Sequence, residues 1–323
     1  MAAAAEEGKL KRSILLAGQL GLTALVTWFI VDRLGPGLGE LGRLDAGAWT
    51  PDPGLFIASC SLLLFGYFVS AALWGRLVTD LGGPPLPAMA AVGIFMVANV
   101  GRYVPGKLWQ IAGLAVLAKR RGVPAATATA AAVLGQAMGL VAATLVGLGA
   151  LSAAPDAVRR WGVPAARLLT GAAVVALLPS AFNRLASLAF RLARRDAPAG
   201  LDPGRAVVWL GLYVGNWLVY AFSFWVLAAS LGVQGSPVAV GSAFAAAYVL
   251  GYLMIFAPAG VGVREGFLVT FLAPVMGVQG ATVLAVVSRL WTTMVELIPA
   301  ALFWVRELAA ARETTSAGGD DGD

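Results

Sequence analysis

The chain has 323 residues, 59% hydrophobic and only 12% charged, against about a quarter charged in an average soluble domain, so it reads as an integral membrane protein. Histidine is absent, which removes the commonest general base, the usual metal ligand and any Ser-His or Cys-His nucleophile pair, while the single cysteine, Cys60, excludes an internal disulfide and reads as packing within an apolar run. The net charge of +6 is spread over the ends of apolar segments, not gathered in an aromatic-interleaved basic stripe, which excludes nucleic acid as a partner and points to membrane topology.

Lys9, Lys11 and Arg12 precede an apolar run, Ser13 to Val31, whose about 19 residues just cross a ~30 Å hydrocarbon core; no small-residue cleavage site follows, so this is a retained first span and not a signal peptide. The loop from Asp32 to Pro53 carries more acid than base, which puts residues 1–12 in the cytoplasm. Leu55 to Val78 returns, and the GGPPLP turn ends it because paired glycines and three prolines cannot continue a helix. Two arms follow, Pro87 to Val100 and Leu108 to Ala118, both well short of the ~20 residues a crossing needs. They predict a re-entrant hairpin with GRYVPGK at its tip and Lys119, Arg120 and Arg121 at its exit.

Ala125 to Leu151 crosses outward and Val163 to Pro179 returns, before a cytoplasmic linker marked by Arg184, Arg191, Arg194, Arg195 and Arg205. Ala206 to Leu231 crosses again. Val238 to Phe256 and Phe267 to Met276 then flank a second break, APAGVGVREG, and predict a second hairpin that enters from the outside; Ala281 to Val305 brings the chain home. The tail from 309 to 323 is polar and low in complexity, which predicts disorder. The fold class expected is an all-α polytopic membrane protein of about six transmembrane helices plus two re-entrant hairpins. Residues 13–308 form one membrane domain, in the plasma (inner) membrane with both termini cytoplasmic. Its halves, 13–161 and 162–308, each read span, span, hairpin, span from opposite faces, the inverted-repeat plan of transporters.

Charged, helix-breaking chain at bilayer depth must be buried in protein or line a cavity. At the first tip the second arm begins, so its free backbone N–H groups and the positive end of its dipole face the break. With Arg102, Tyr103, Pro105, Gly106 and Lys107 there, the tip suits an anion, and phosphate is the natural candidate because helix N-termini and guanidinium forks both match its oxygens. Snorkelling of Arg102 and Lys107 to the interface is the competing reading. The second tip supplies Gly260, Gly262, Arg264 and Glu265, the last two adjacent and therefore in need of separate partners. Arg289 and Glu296, seven residues apart on the last helix, share one face about 10 Å apart along the axis. A structural ion pair that locks the hairpin to this helix and a role in substrate or proton coupling stand equal there.

Asn99, Gln110, Gln136 and Asn216 read as hydrogen-bonding glue between helices. Gly135 with Gly139 and Gly211 with Gly215 have the spacing of close helix contacts, a weak signal among 40 glycines. Trp28, Trp49, Trp74, Trp209 and Trp304 fall near predicted span ends, where an interfacial belt is the default.

At GRYVPGK with its KRRG exit, and again at APAGVGVREG, the sequence resembles the flippase-like membrane domain of lysylphosphatidylglycerol synthases and their stand-alone relatives, over roughly residues 10 to 308. Members with the full architecture join this domain to a soluble aminoacyl-lipid synthase, and the resemblance is to the form without it. It points to Arg102, Pro105, Gly106 and Lys107 in the first motif and to Pro258, Gly260, Gly262, Arg264 and Glu265 in the second, with Ala259 where the family often has a further glycine.

The function expected is a flippase or scramblase that moves a phospholipid or polyprenyl-phosphate-linked head group between leaflets, with phosphate held at the tips by Arg102, Lys107 and Arg264 and charge balanced by Glu265 and Glu296. No catalytic motif, cofactor or metal is called for, and no G-x-x-x-x-G-K-[ST] pattern is present. Two alternatives stay open, a membrane-embedded lipid-phosphate transferase and an accessory membrane subunit of a separate synthase or glycosyltransferase. A second copy of the chain is a further candidate partner.

Overall fold

The computed structural model describes residues 50–103, 108–152, 205–253 and 262–317, with isolated positions between 160 and 187. The expected first span Ser13 to Val31, nearly all of Val163 to Pro179, and Arg191, Arg194 and Arg195 of the linker lie outside the described residues. The described secondary structure is helical throughout.

Helix α1 spans Pro53–Asp80; the Asp52 carboxylate accepts from the Leu55 backbone N–H at 2.8 Å, and Pro53 occupies the first turn, where its missing donor costs nothing. Helices α2 (Ala88–Asn99) and α3 (Leu108–Lys119) have 12 residues each, about 18 Å of helix against a ~30 Å core, so neither is long enough to cross alone, and they pack on each other as a hairpin. A 3-10 turn, Val100–Tyr103, closes α2 at the tip. Helix α4 (Ala125–Gly147) is long enough to span and is extended by a 3-10 turn, Leu148–Ser152.

Helix α5 (Ala206–Ser230) is the next span, followed by α6 (Pro237–Leu253) and α7 (Val263–Ala317). The last is two helices in one run. Gly277 adopts φ 76° and ψ 161° three residues after Pro274, a conformation open to glycine and costly for other residues. The break leaves residues 263–276 as a short arm against α6 and 278–317 as a long final helix.

Four helical stretches among the described residues are long and apolar enough to cross a membrane, and with the short apolar arms they make the chain an all-α, multi-pass membrane protein. The order helix, helical hairpin, helix occurs twice, as α1, α2–α3, α4 and as α5, α6 with 263–276, and 278–317. The turns after α1 and α5 match: Gly83 N–H bonds to Val78 at 2.9 Å and Val233 N–H to Ala228 at 3.1 Å, each past a glycine with positive φ, Gly82 and Gly232.

Two boundaries differ from the sequence reading. The second arm of the second hairpin begins at Val263, not Phe267, because Glu265 caps a turn that includes the charged residues. The final helix runs to Ala317, past residue 309 where the polar tail was expected, since Glu, Ala and Arg are good helix formers. The tryptophan belt also needs correction: Trp74 is 2% exposed and Trp209 6% exposed. Trp209 donates its indole N–H to Asp80 at 3.1 Å, and only Trp304 of the described three is half-exposed.

Leucine, valine and isoleucine on the outward faces, such as Ile57, Val207 and Leu302, are largely exposed. Water would penalise such a surface and lipid does not. Inside, Trp74, Trp291 and Phe224 are fully buried, and the Phe224, Phe244 and Trp291 rings pack on one another across α5, α6 and α7. Gly66 lets α1 and α5 close up: a Cβ there would lie 2.5 Å from the Tyr220 ring. Gly135 does the same for Tyr213, whereas Gly211 and Gly215 face open space and make no such contact among the described residues.

Candidate functional site

Described residues that flank the two hairpin tips, Arg102 and Tyr103 at the first and Arg264 at the second, line one chamber. At the first tip the backbone of Gly101 lies so close to the start of α3 that a Cβ would sit 2.8 Å from Gln110 N and Trp109 C. That approach turns Arg102 inward. Its Nη1 donates to Glu296 Oε1 at 2.6 Å and its Nη2 to Asn99 Oδ1 at 3.0 Å. Gln110 Nε2 donates to the same Asn99 oxygen at 2.6 Å, which fixes the amide between the arms.

Glu296 is 3% exposed and fully engaged. Besides Arg102 it accepts from the Tyr67 hydroxyl of α1 and, at 2.7 Å, from that of Tyr103. One carboxylate on the final helix thus ties together α1, the first tip and α7. A buried carboxylate is tolerable only when its acceptors are so satisfied.

The second tip is arranged differently. Glu265 caps its own helix, accepting from Gly262 N–H at 2.6 Å, and its other oxygen faces Arg289 Nη1 at 3.8 Å, a charge contact too long for a hydrogen bond. The Arg289 guanidinium lies over the Tyr103 ring, 5.9 Å from its centre. Arg264 packs its guanidinium over Phe244 at 4.8 Å, and Gly251 of α6 makes room, since a Cβ there would lie 3.0 Å from Arg264 Cβ. Arg264 is 8% exposed, its Nε and Nη2 have no hydrogen-bond partner, and no carboxylate comes within ion-pair distance among the described residues.

Two adjoining cavities, about 120 Å³ and about 80 Å³, meet at a waist formed by Arg102, Gln110, Gln136, Tyr248, Arg264 and Glu296. The smaller runs on to Tyr103 and Arg289. The larger continues between α1, α4 and α5 to Ser70, Trp74, Tyr213, Asn216, Trp217 and Tyr220. There Asn216 Nδ2 donates to Ser70 Oγ at 2.8 Å, and Ser70 and Tyr220 hydroxyls share a bond of 2.8 Å.

Of the residues proposed from sequence, Arg102, Tyr103, Arg264, Arg289 and Glu296 line this chamber, while Gly262 and Glu265 build the cap beside it. Pro105, Gly106, Lys107 and Gly260 lie outside the described residues, as does Pro258. Asn99, Gln110 and Asn216 do bridge neighbouring segments, yet they do so at the walls of the site. Tyr67, Trp217, Tyr220 and Tyr248 were missed. A signal existed for the α5 set: Tyr213, Asn216, Trp217 and Tyr220 follow the i, i+3, i+4, i+7 spacing of a single helix face.

No curated protein matches the chain. The family model described as the lysylphosphatidylglycerol synthase TM region matches residues 14–300. That stretch takes in both hairpins, the final helix through Glu296 and every wall of the chamber, and the chain accordingly belongs to the family of the lysylphosphatidylglycerol synthase transmembrane region.

Proposed function

We propose that this protein moves a phosphate-bearing lipid head group across the membrane, as a flippase or scramblase, by way of the chamber between the hairpin tips. The observation that carries the reading is Arg264, a buried cation with two unpartnered nitrogens and no carboxylate at ion-pair distance among the described residues. Leaving a buried charge unsatisfied costs several kcal/mol, on the order of 3–5 where a partner has been removed, so the cost is best explained by an anion that binds there in the working cycle. A guanidinium offers a phosphate two parallel donors. The acyl or polyprenyl tails would remain in lipid while the head group crosses.

Arg102 is the second cation in reach, held by Glu296 and two tyrosines. An arriving phosphate competes with Glu296 for it, so transport and the tie between the first tip and the final helix are coupled. What supports an inverted-repeat plan is the twice-used order of helix, hairpin and helix with matching glycine turns at Gly82 and Gly232. The cationic ends of the apolar runs favour cytoplasmic termini. In this reading the protein acts as a carrier, with Glu296, the most buried carboxylate among the described residues, bound by Arg102, Tyr67 and Tyr103.

The test is head-group exposure in proteoliposomes with fluorescent phosphatidylglycerol and phosphatidylcholine. Wild-type protein moves the anionic lipid, and Arg264→Gln reduces that rate by about tenfold or more. Equal rates for wild type, Arg264→Gln and protein-free vesicles end the proposal.

A further inference from the structure

The larger cavity says more about the head group than that it bears a phosphate, and this step rests on the anion reading of Arg264. Three arginines, Arg102, Arg264 and Arg289, line the chamber with Glu296, and a second glutamate, Glu265, stands beside it against Arg289. Each glutamate already faces an arginine, at 3.8 Å and 2.6 Å respectively. The balance is one positive charge, which one phosphodiester neutralises. Among the described residues Glu296, the carboxylate that lines the chamber, is fully engaged, while Glu265, which lines neither cavity, holds its buried Oε1 against Arg289 without a hydrogen-bond partner.

Past the waist, the cavity wall formed by Ser70, Trp74, Tyr213, Asn216, Trp217 and Tyr220 is polar, aromatic and uncharged. Two of its buried polar atoms have no hydrogen-bond partner among the described residues, the acceptor Asn216 Oδ1 and the donor Trp74 Nε1. Tyr213 also lines it without a hydrogen-bond partner among the described residues. An acceptor and a donor left unpaired beside one cavity are what a hydroxyl group, which both donates and accepts, would satisfy. The Trp217, Tyr220 and Tyr248 rings, with neighbouring centres 5.4 Å and 4.8 Å apart, supply the apolar faces on which the C–H side of a polyol packs.

We infer that the head group bound here is an uncharged polyhydroxyl moiety, a glycerol, an inositol or a sugar, esterified to a single phosphate, and not an aminoacylated or other cationic head. Phosphate sits at Arg264 and the polyol extends toward Asn216 and Trp74. The lysyl lipid in the family's name carries ammonium groups for which this chamber offers no counter-charge among the described residues.

Gly139 provides a clean probe. It lines the larger cavity, and a Cβ there would meet Trp217 Nε1 at 3.8 Å and Tyr213 Cδ1 at 3.9 Å, ordinary contact distances. Gly139→Ala therefore narrows the cavity without a clash and improves helix propensity.

The experiment is lipid retention by the purified full-length chain in native mass spectrometry. The panel is phosphatidylglycerol, phosphatidylinositol, a hexosyl polyprenyl phosphate, phosphatidic acid, phosphatidylethanolamine and lysylphosphatidylglycerol. Polyol heads are expected to bind about tenfold more tightly than the two amine-bearing lipids. The ratio of the glycerophospholipids to the polyprenyl lipid identifies which source supplies the polyol. Gly139→Ala lowers polyol affinity by about fivefold or more and leaves phosphatidic acid unchanged.

Amine-bearing lipids bound as well as polyols would overturn the inference, as would a Gly139→Ala variant that weakens phosphatidic acid equally. Retention of no phosphate lipid at all would sink the anion reading beneath it. Selective polyol binding without movement in proteoliposomes would end the transport proposal and leave this inference standing.

Discussion

The two hairpin tips carry the same kind of side chain in opposite electrostatic states. Arg102 at the first tip is closed off by Glu296 at 2.6 Å and Asn99 at 3.0 Å. Arg264 at the second is buried as deeply as the core, yet among the described residues it packs on an aromatic face and leaves two nitrogens without a hydrogen-bond partner. The difference separates a cation that maintains the architecture from one that the architecture leaves available. A buried pair is weak evidence for function because it satisfies itself, whereas a buried unpaired charge costs stability that something else must justify.

The largest effect should come from breaking the satisfied tip. Glu296→Ala removes the acceptor of Arg102, Tyr67 and Tyr103 together and strands a buried guanidinium. A loss of about 3–5 kcal/mol is expected, read as a lowered melting temperature in detergent. Stability unchanged in that variant would mean that Arg102 is not dependent on Glu296 and would erase the contrast between the tips.

The second tip should respond in the opposite sense. Arg264→Gln deletes a charge with no counter-charge at ion-pair distance among the described residues. Thermal stability should hold or rise, by up to about 1–2 kcal/mol, while affinity for anionic lipids falls. Arg264→Gln melting as low as Glu296→Ala would show that Arg264 is structural after all.

Gly66→Ala asks whether the wall between α1 and α5 is as tight as its geometry suggests. The added methyl would meet the Tyr220 ring, at a cost of about 1–3 kcal/mol in thermal unfolding. It should also displace Tyr220 from Ser70, weakening polyol retention more than phosphatidic acid retention.

Smallest of the set is Glu265→Gln. The amide oxygen can still accept from Gly262 N–H, and only the 3.8 Å charge contact with Arg289 is lost. About 1 kcal/mol or less is expected from equilibrium unfolding. A loss as large as that from Glu296→Ala would show that both tips are locked by ion pairs.

The first hairpin was legible in the sequence for a simple reason of length: two helices of 12 residues are each too short to cross, and a tip holding Gly101 and Arg102 cannot face hydrocarbon. The final helix was legible in part. Seven-residue spacing put Arg289 and Glu296 on one face, but each answers to a different hairpin, Arg289 to Glu265 and Glu296 to Arg102. Partners 194 residues apart, as Arg102 and Glu296 are, leave no mark on local pattern.

The tryptophans failed for a related cause. Position along a span fixes depth in the bilayer and says nothing about whether a side chain faces lipid or a neighbouring helix. Trp74 and Trp209 turn inward because α1 and α5 pack against each other. The same ambiguity concealed Tyr67 and Tyr248, each an isolated tyrosine in an apolar run, although the Tyr213, Asn216, Trp217, Tyr220 stripe could have been read.

Electron cryomicroscopy of the full chain in nanodiscs of phosphatidylglycerol would show directly whether Arg264 receives a lipid phosphate. Lipid head-group density is expected in the chamber, with a phosphate oxygen about 2.7–3.2 Å from the Arg264 guanidinium and Arg102 still within reach of Glu296. Arg264 paired to a carboxylate of the chain itself, with the lipid confined to the outer faces of the helices, would contradict it.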